Sequence, residues 1–196
     1  MAKNYQKIKY IIGVDEAGRG PLAGPVAVAA IAIPYGAKLP KGVRDSKKLS
    51  AAQRERLRAE LASQFPFKVV MVGANIIDRI GIGRAVHLAV SRAVRRLAAE
   101  LEGYDVRVML DGLLHAPREF QQETVIHGDD LVPTISAASI MAKTARDRKM
   151  LTLHHIYPEY RFDAHMGYGT ALHRKALQKH GLSPEHRRGY CRTFLA

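Results

Sequence analysis

A chain of 196 residues with 47% hydrophobic and 25% charged residues has the size and composition of one soluble globular domain, spanning 1–196. Its 31 Lys and Arg against 18 Asp and Glu leave a net charge of +13, which calls for a polyanionic partner, nucleic acid before an acidic membrane. The longest uninterrupted apolar run, 26–33, is far too short to span a bilayer, the N-terminus lacks the apolar stretch of a signal peptide, and the one cysteine, Cys191, allows neither an internal disulfide nor a thiolate metal site; a reducing, cytoplasmic location fits.

The first predicted element is a strand over 10–14, followed by a glycine- and proline-rich turn over 17–24. A second strand over 25–33 is apolar on both faces, as a central strand must be. Ser50 with Gln53 forms a capping box for a helix to about Phe65, with Leu57 and Leu61 on its buried stripe. A strand over 67–72 precedes a long helix over about 84–101, in which Val86, Val90, Ala93, Leu97 and Leu101 recur at helical spacing. Gly103 is its expected stop. Strands over 106–110 and 124–127 follow, and Pro133 opens a further helix. Two helices close the chain, one over 171–180 and one starting at Ser183, where Pro184 would take the first helical position. This order predicts a mixed α/β sheet of five strands with helices on both faces and a helical C-terminal tail.

Four acids stand where so basic a chain should least want them. Asp15 and Glu16 follow the first strand, Asp111 the fourth, and Asp129 the fifth. If those three strands run parallel, all four carboxylates reach one rim of the sheet, where sites collect in such folds. Crowded carboxylates repel one another unless a cation neutralises them or some keep a proton. Hard divalent cations suit such a cluster, Mg²⁺ above all. Each acid alone has a plainer reading: a strand-end turn for Asp111, a loop for Asp129 and Asp130, surface charge for Asp15 and Glu16.

The basic excess gathers late. Residues 143–196 hold 11 Lys and Arg against 4 Asp and Glu, together with six of the nine histidines and Tyr157, Tyr160, Tyr168 and Tyr190. Basic groups among aromatics suit a nucleic-acid face. The turn Gly18-Arg19-Gly20-Pro21-Leu22-Ala23 fits a dinucleotide-binding pattern by letter only, because Pro21 and Pro25 oppose the helix that pattern requires. Its glycines do let backbone N–H groups approach a sugar or phosphate.

The run Asp15-Glu16-Ala17-Gly18-Arg19-Gly20-Pro21-Leu22-Ala23-Gly24-Pro25-Val26 resembles the opening signature of bacterial type-2 ribonuclease H (ribonuclease HII). Further blocks resemble the family in order: Asp45-Ser46-Lys47-Lys48-Leu49-Ser50, Leu110-Asp111-Gly112, and Gly128-Asp129 with Pro133, Ser136 to Ile140, Lys143 and Arg146. His165-Met166-Gly167-Tyr168-Gly169-Thr170 and Glu185-His186-Arg187-Arg188 complete the set. The resemblance implies a ribonuclease H-like fold. It also implies a metal-dependent endonuclease that cuts the RNA strand of RNA–DNA hybrids and cuts 5′ of single ribonucleotides in duplex DNA, leaving a 3′-hydroxyl and a 5′-phosphate. By the same resemblance Asp15, Glu16, Asp111 and Asp129 are the catalytic metal ligands for Mg²⁺ or Mn²⁺. Gly18, Arg19 and Gly20 form the loop that reads the ribose 2′-hydroxyl, and Tyr168 packs on the neighbouring sugar.

Arg19 is a loop ion-pair former or a phosphate contact. Lys47 precedes a helix start that attracts phosphate, and Lys143 and Arg146 lie on a helix expected to line the groove; solvated surface is the alternative for all three. His154, His155, His173, His180 and His186 read as surface or packing residues. The chain departs from the family pattern at Leu113, His127 and Met166, where Asn, Lys and Lys are expected. The rival function is a non-catalytic basic RNA-binding protein. A monomer is the default state.

Overall fold

The computed structural model describes residues 9–43 and 49–194. Five strands form one sheet in the order β3-β2-β1-β4-β5: β1 Tyr10–Ala17, β2 Val26–Pro34, β3 Phe67–Val72, β4 Val106–Asp111 and β5 Gln122–Val125. β1 pairs antiparallel with β2 and parallel with β4, and β4 runs parallel to β5. The sheet is mixed, as expected, and its central strand is β1. β2 is buried along almost its whole length, which explains its unbroken apolar run.

Helix α1, Ala51–Gln64, begins at the Ser50–Gln53 capping box and buries Leu57 and Leu61. A short helix that periodicity does not signal, α2 (Ala74–Ile80), lies between Gly73 and Gly81, and α3 (Ile82–Ala99) starts two residues before its predicted onset. α3 lays Val86, Ala89, Val90, Ala93 and Leu97 against Ile12, Val14, Val28 and Val108 on one face of the sheet. The other face carries α1 and α5, Pro133–Ile156, whose Ala137, Ala138, Ile140 and Met141 meet Ala29 and Ile31. No described helix is long and apolar enough to cross a membrane.

Two boundaries shift, with consequences for the acids. β1 continues to Ala17, so Asp15 and Glu16 lie inside the strand rather than beyond it, and Asp111 is the last residue of β4. β5 ends at Val125, earlier than expected; His127 turns left-handed (φ 57°) and starts the one-turn helix α4, Gly128–Leu131, which carries Asp129.

The C-terminal tail consists of α6 (Phe162–His165), α7 (Ala171–His180) and α8 (Arg188–Cys191). It packs through Phe162, Leu177 and Cys191 onto Leu22, Ala23 and the end of α5. The helix expected from Ser183 does not form. Ser183 accepts from the Glu185 amide as a turn residue does, and Ala23 pairs with His186 across an antiparallel bridge. The Gly24 amide donates to the Glu185 carbonyl and the Arg187 amide to the Leu22 carbonyl. Those long-range backbone bonds outbid a local cap whose worth is about 1 kcal/mol.

Candidate active site

Strand alternation sorts the acids. Ile12 and Val14 enter the core under α3, so Glu16 follows them toward that face. Gly13 and Asp15 face α5. A Cβ on Gly13 would sit 2.0 Å from the Thr134 carbonyl oxygen, so only glycine lets the first turn of α5 lie directly on β1. That contact buries Asp15 to 5% exposure beside the Ser139 side chain, where its Oδ1 accepts from the Glu16 amide at 2.7 Å. Asp111 shares its face through the β1–β4 register, which pairs Val14 with Leu110. The Asp129 amide donates to Asp111 Oδ1 at 3.3 Å, and the Ser136 hydroxyl donates to the Asp129 carbonyl at 2.6 Å. Asp129 is buried while the adjacent Asp130 is exposed.

The electrostatics are those of an anionic cluster. Burial, then the neighbouring Glu16 charge, push the Asp15 carboxyl up to about 8, with Asp111 adding to the rise. Burial, and further down the order Asp111, also raise Glu16, against the opposing effect of Arg19. Glu16 Oε2 is buried and meets no hydrogen-bond partner among the described residues. Its other oxygen meets Arg19 Nη1 at 3.4 Å. A buried carboxylate oxygen without a donor, beside a carboxyl that cannot easily ionise, is the donor set a hard divalent cation would satisfy. Among the described residues no three such side chains already stand arranged to hold an ion.

Beside the acids lies the loop 18–25, shaped by two buried arginines. Arg146, 1% exposed, donates to the carbonyls of Pro25 (3.0 Å), Ala23 (3.3 Å) and Met166 (2.9 Å). It was expected to line the groove; instead it sits beneath the loop, its guanidinium occupied by backbone. Gly18 (φ 94°) is required there, since a Cβ would lie 2.0 Å from Arg146 Nε. Arg187, wholly buried, donates to the carbonyls of Gly24 (2.9 and 3.1 Å), Arg19 (2.8 Å) and Gly18 (2.6 Å). Burial, and next the Arg146 charge, lower Arg187 to about 10. A trans peptide points its N–H opposite to its C=O. Drawing the Gly18 and Arg19 carbonyls inward thus turns the Arg19 and Gly20 amides outward.

Tyr168 is 45% exposed, and a Cβ on Gly20 would lie 4.0 Å from its ring. The Arg146 guanidinium sits 5.7 Å from the ring centroid. Arg19 is half-exposed at the rim. Lys143 is also partly exposed and is bonded to Asp147 at 2.9 Å. Lys47 and the rest of its block up to Lys48 lie outside the described residues. Sequence reasoning assigned no role to Arg187; the signal available was its place in the block Glu185-His186-Arg187-Arg188, without periodicity to mark it as buried. Leu113, one of the three departures, is 88% exposed, and Met166 supplies only its carbonyl to Arg146.

A family profile for ribonuclease HII matches residues 12–193. The chain is similar to the ribonuclease HII of Bordetella pertussis, 48% identical over 181 residues that make up 92% of this chain and 88% of the relative. Among solved structures it resembles ribonuclease H2 of Pyrococcus horikoshii, with a TM-score of 0.71 and 24% identity over 94% of this chain and 96% of that one. It also resembles Bst ribonuclease HIII in complex with Mn²⁺, with a TM-score of 0.72 and 19% identity over 90% of this chain and 65% of that one. At those identities the two structures speak for the ribonuclease H fold alone. A profile match over nearly the whole chain and a relative at 48% identity carry more: this chain belongs to the ribonuclease HII family and is a ribonuclease H, a hydrolase.

Proposed function

We propose that this protein is an endoribonuclease that cuts the RNA strand of RNA–DNA hybrids and cuts 5′ of single ribonucleotides embedded in duplex DNA. It leaves a 3′-hydroxyl and a 5′-phosphate and uses Mg²⁺ or Mn²⁺. The observation that carries the reading is the juxtaposition of an anionic carboxylate cluster with a loop whose amides are turned outward. Asp15, Glu16, Asp111 and Asp129 would hold the ions, Asp15 serving both, Glu16 and Asp111 one, and Asp129 the other. When bound, a pair of divalent ions supplies an activated water and stabilises the leaving oxygen of a phosphodiester.

The chain's own residues do the rest. The Arg19 and Gly20 amides meet the ribose 2′-hydroxyl, the group that separates RNA from DNA. The Tyr168 ring beside Gly20 packs on the adjoining sugar and favours a ribo-to-deoxy junction. Arg19 and Lys143, at the rim, contact phosphates, as does Lys47. The net charge of +13 draws the duplex in. We take the whole chain as one catalytic domain acting as a cytoplasmic monomer.

The test is cleavage of a DNA duplex carrying one ribonucleotide, with Mg²⁺ or Mn²⁺ and an all-DNA control. Expected is a single cut 5′ of the ribonucleotide and none in the control. Asp15→Asn should abolish cleavage while duplex binding persists. No product with either metal, or normal turnover by that variant, would refute the reading.

A further inference from the structure

Three histidines are buried behind Tyr168: His173 at 0%, His186 at 2% and His165 at 7% exposure. Their hydrogen bonds form a chain whose two ends have fixed polarity. At one end, the Ser183 backbone amide, which can only donate, points at His186 Nδ1 at 3.0 Å, and the Ser183 hydroxyl lies 2.8 Å from the same nitrogen. His186 Nδ1 must therefore be a lone pair, and a neutral ring then carries its proton on Nε2. His186 Nε2 lies 2.9 Å from His173 Nε2, so the latter is the acceptor. His173 in turn carries its proton on Nδ1, which lies 2.9 Å from the Tyr168 carbonyl, a group that can only accept. Every link agrees in direction, from Ser183 to Tyr168, and only one pair of neutral tautomers satisfies it.

His165 completes the frame. Its Nε2 lies 2.9 Å from the Tyr160 carbonyl, its Nδ1 accepts from the Gly167 amide at 3.2 Å, and its ring stacks on His173 at 4.4 Å. Tyr168 is thereby held on both sides, at the amide before it and at its own carbonyl.

We propose that His173 and His186 are positioning residues for ribose selection, a directional relay that fixes the Tyr168 peptide and so aims its ring at the sugar beside Gly20. Neither imidazole reaches the reacting atoms. Burial, offset only in part by the bond to the Tyr168 carbonyl, lowers His173 to about 4, and burial with the His173 charge lowers His186 to about 4, so the relay stays neutral at physiological pH. The inference rests on the reading of Tyr168 as the sugar-packing ring.

The direct test is nitrogen-15 NMR of the imidazoles in the full-length protein at pH 7. Expected are His173 protonated on Nδ1 and His186 on Nε2; the opposite tautomer at either, or a charged ring, overturns the relay. The functional test compares His186→Phe, which cannot donate to His173, with His186→Gln, whose amide can both donate to His173 and accept from Ser183. His186→Phe should lower kcat/KM on a single embedded ribonucleotide about tenfold, the cost of a slightly misplaced positioning group. Cleavage of a continuous RNA–DNA hybrid should change little, and His186→Gln should recover most of the loss. Equal losses on both substrates, or no recovery, overturn the proposal and leave a packing role. Tyr168→Ala separates the two ideas. An unchanged single-ribonucleotide rate in that variant sinks the reading of Tyr168, while the tautomers judge the relay by themselves.

Discussion

At pH 7 the Asp15 carboxyl, pushed up to about 8 by burial and the Glu16 charge, is mostly protonated. On the proposed assignment of Asp15 as a metal ligand, a bound cation would have to displace that proton. Calorimetric titration of Mn²⁺ at pH 7, in buffers of different ionisation enthalpy, should therefore detect release of roughly one proton, and Asp15→Asn should abolish the release. Arg187 poses the opposite problem, a cation buried among neutral carbonyls. Its rigid planar fork spreads donors from three nitrogens over the carbonyls of Gly18, Arg19 and Gly24, a span that the compact point charge of an ammonium does not reproduce. Arg187→Lys should cost about 3 kcal/mol in urea unfolding, because buried carbonyls lose donors. It should also reduce the preference for ribose over deoxyribose, measured as the ratio of cleavage rates.

Between elements, the decisive contact is α5 on β1. It puts Ser139 beside Asp15, Ser136 beside Asp129, and Arg146 under the loop 18–25. One absent methyl group permits it. Gly13→Ala would place a carbon 2.0 Å from the Thr134 oxygen, which is backbone and cannot swing aside. The variant should lose about 1–3 kcal/mol of stability, the usual cost of overpacking. It should lose activity out of proportion, since α5 must retreat from the carboxylates; thermal unfolding and the cleavage rate on the single-ribonucleotide duplex measure the two effects.

For the whole molecule, the buried histidines should weaken the fold on the acid side. The unfolded chain takes up protons at His173 and His186 from about pH 6.5 downward, whereas the folded chain does so only near pH 4. More protons bind to the unfolded state in that window, so stability falls as pH drops through it and is flat, from this cause, above it. Urea unfolding from pH 7 to 4 should show a steeper loss in the wild type than in His186→Gln, which has one titrating ring fewer. Equal slopes would mean that the histidines titrate normally in the fold.

How much of this was legible beforehand follows the range of the interactions. Capping at Ser50, the apolar stripe of α3 and the unbroken burial of β2 depend on neighbours a few residues apart or on one strand's environment, and the sequence displays them directly. The four acids and the glycine loop were visible as motifs, and the parallel pairing of β1, β4 and β5 brings their segments together. Hidden were the facts that arise between distant segments. Gly18 and Arg187 stand 169 residues apart, and nothing in the spacing of either tells which carbonyls the guanidinium will seek. Arg146 looked like a groove residue because a basic side chain on a helix is normally solvated, and Ser183 looked like a helix cap because only the pairing of residues 22–24 with 185–187 overrules it. The sequence alone determined which chemistry is present and which elements carry it. Tertiary structure alone decided which polar groups are buried and whom they serve, because the need to satisfy a buried polar group exists only once the chain has closed around it.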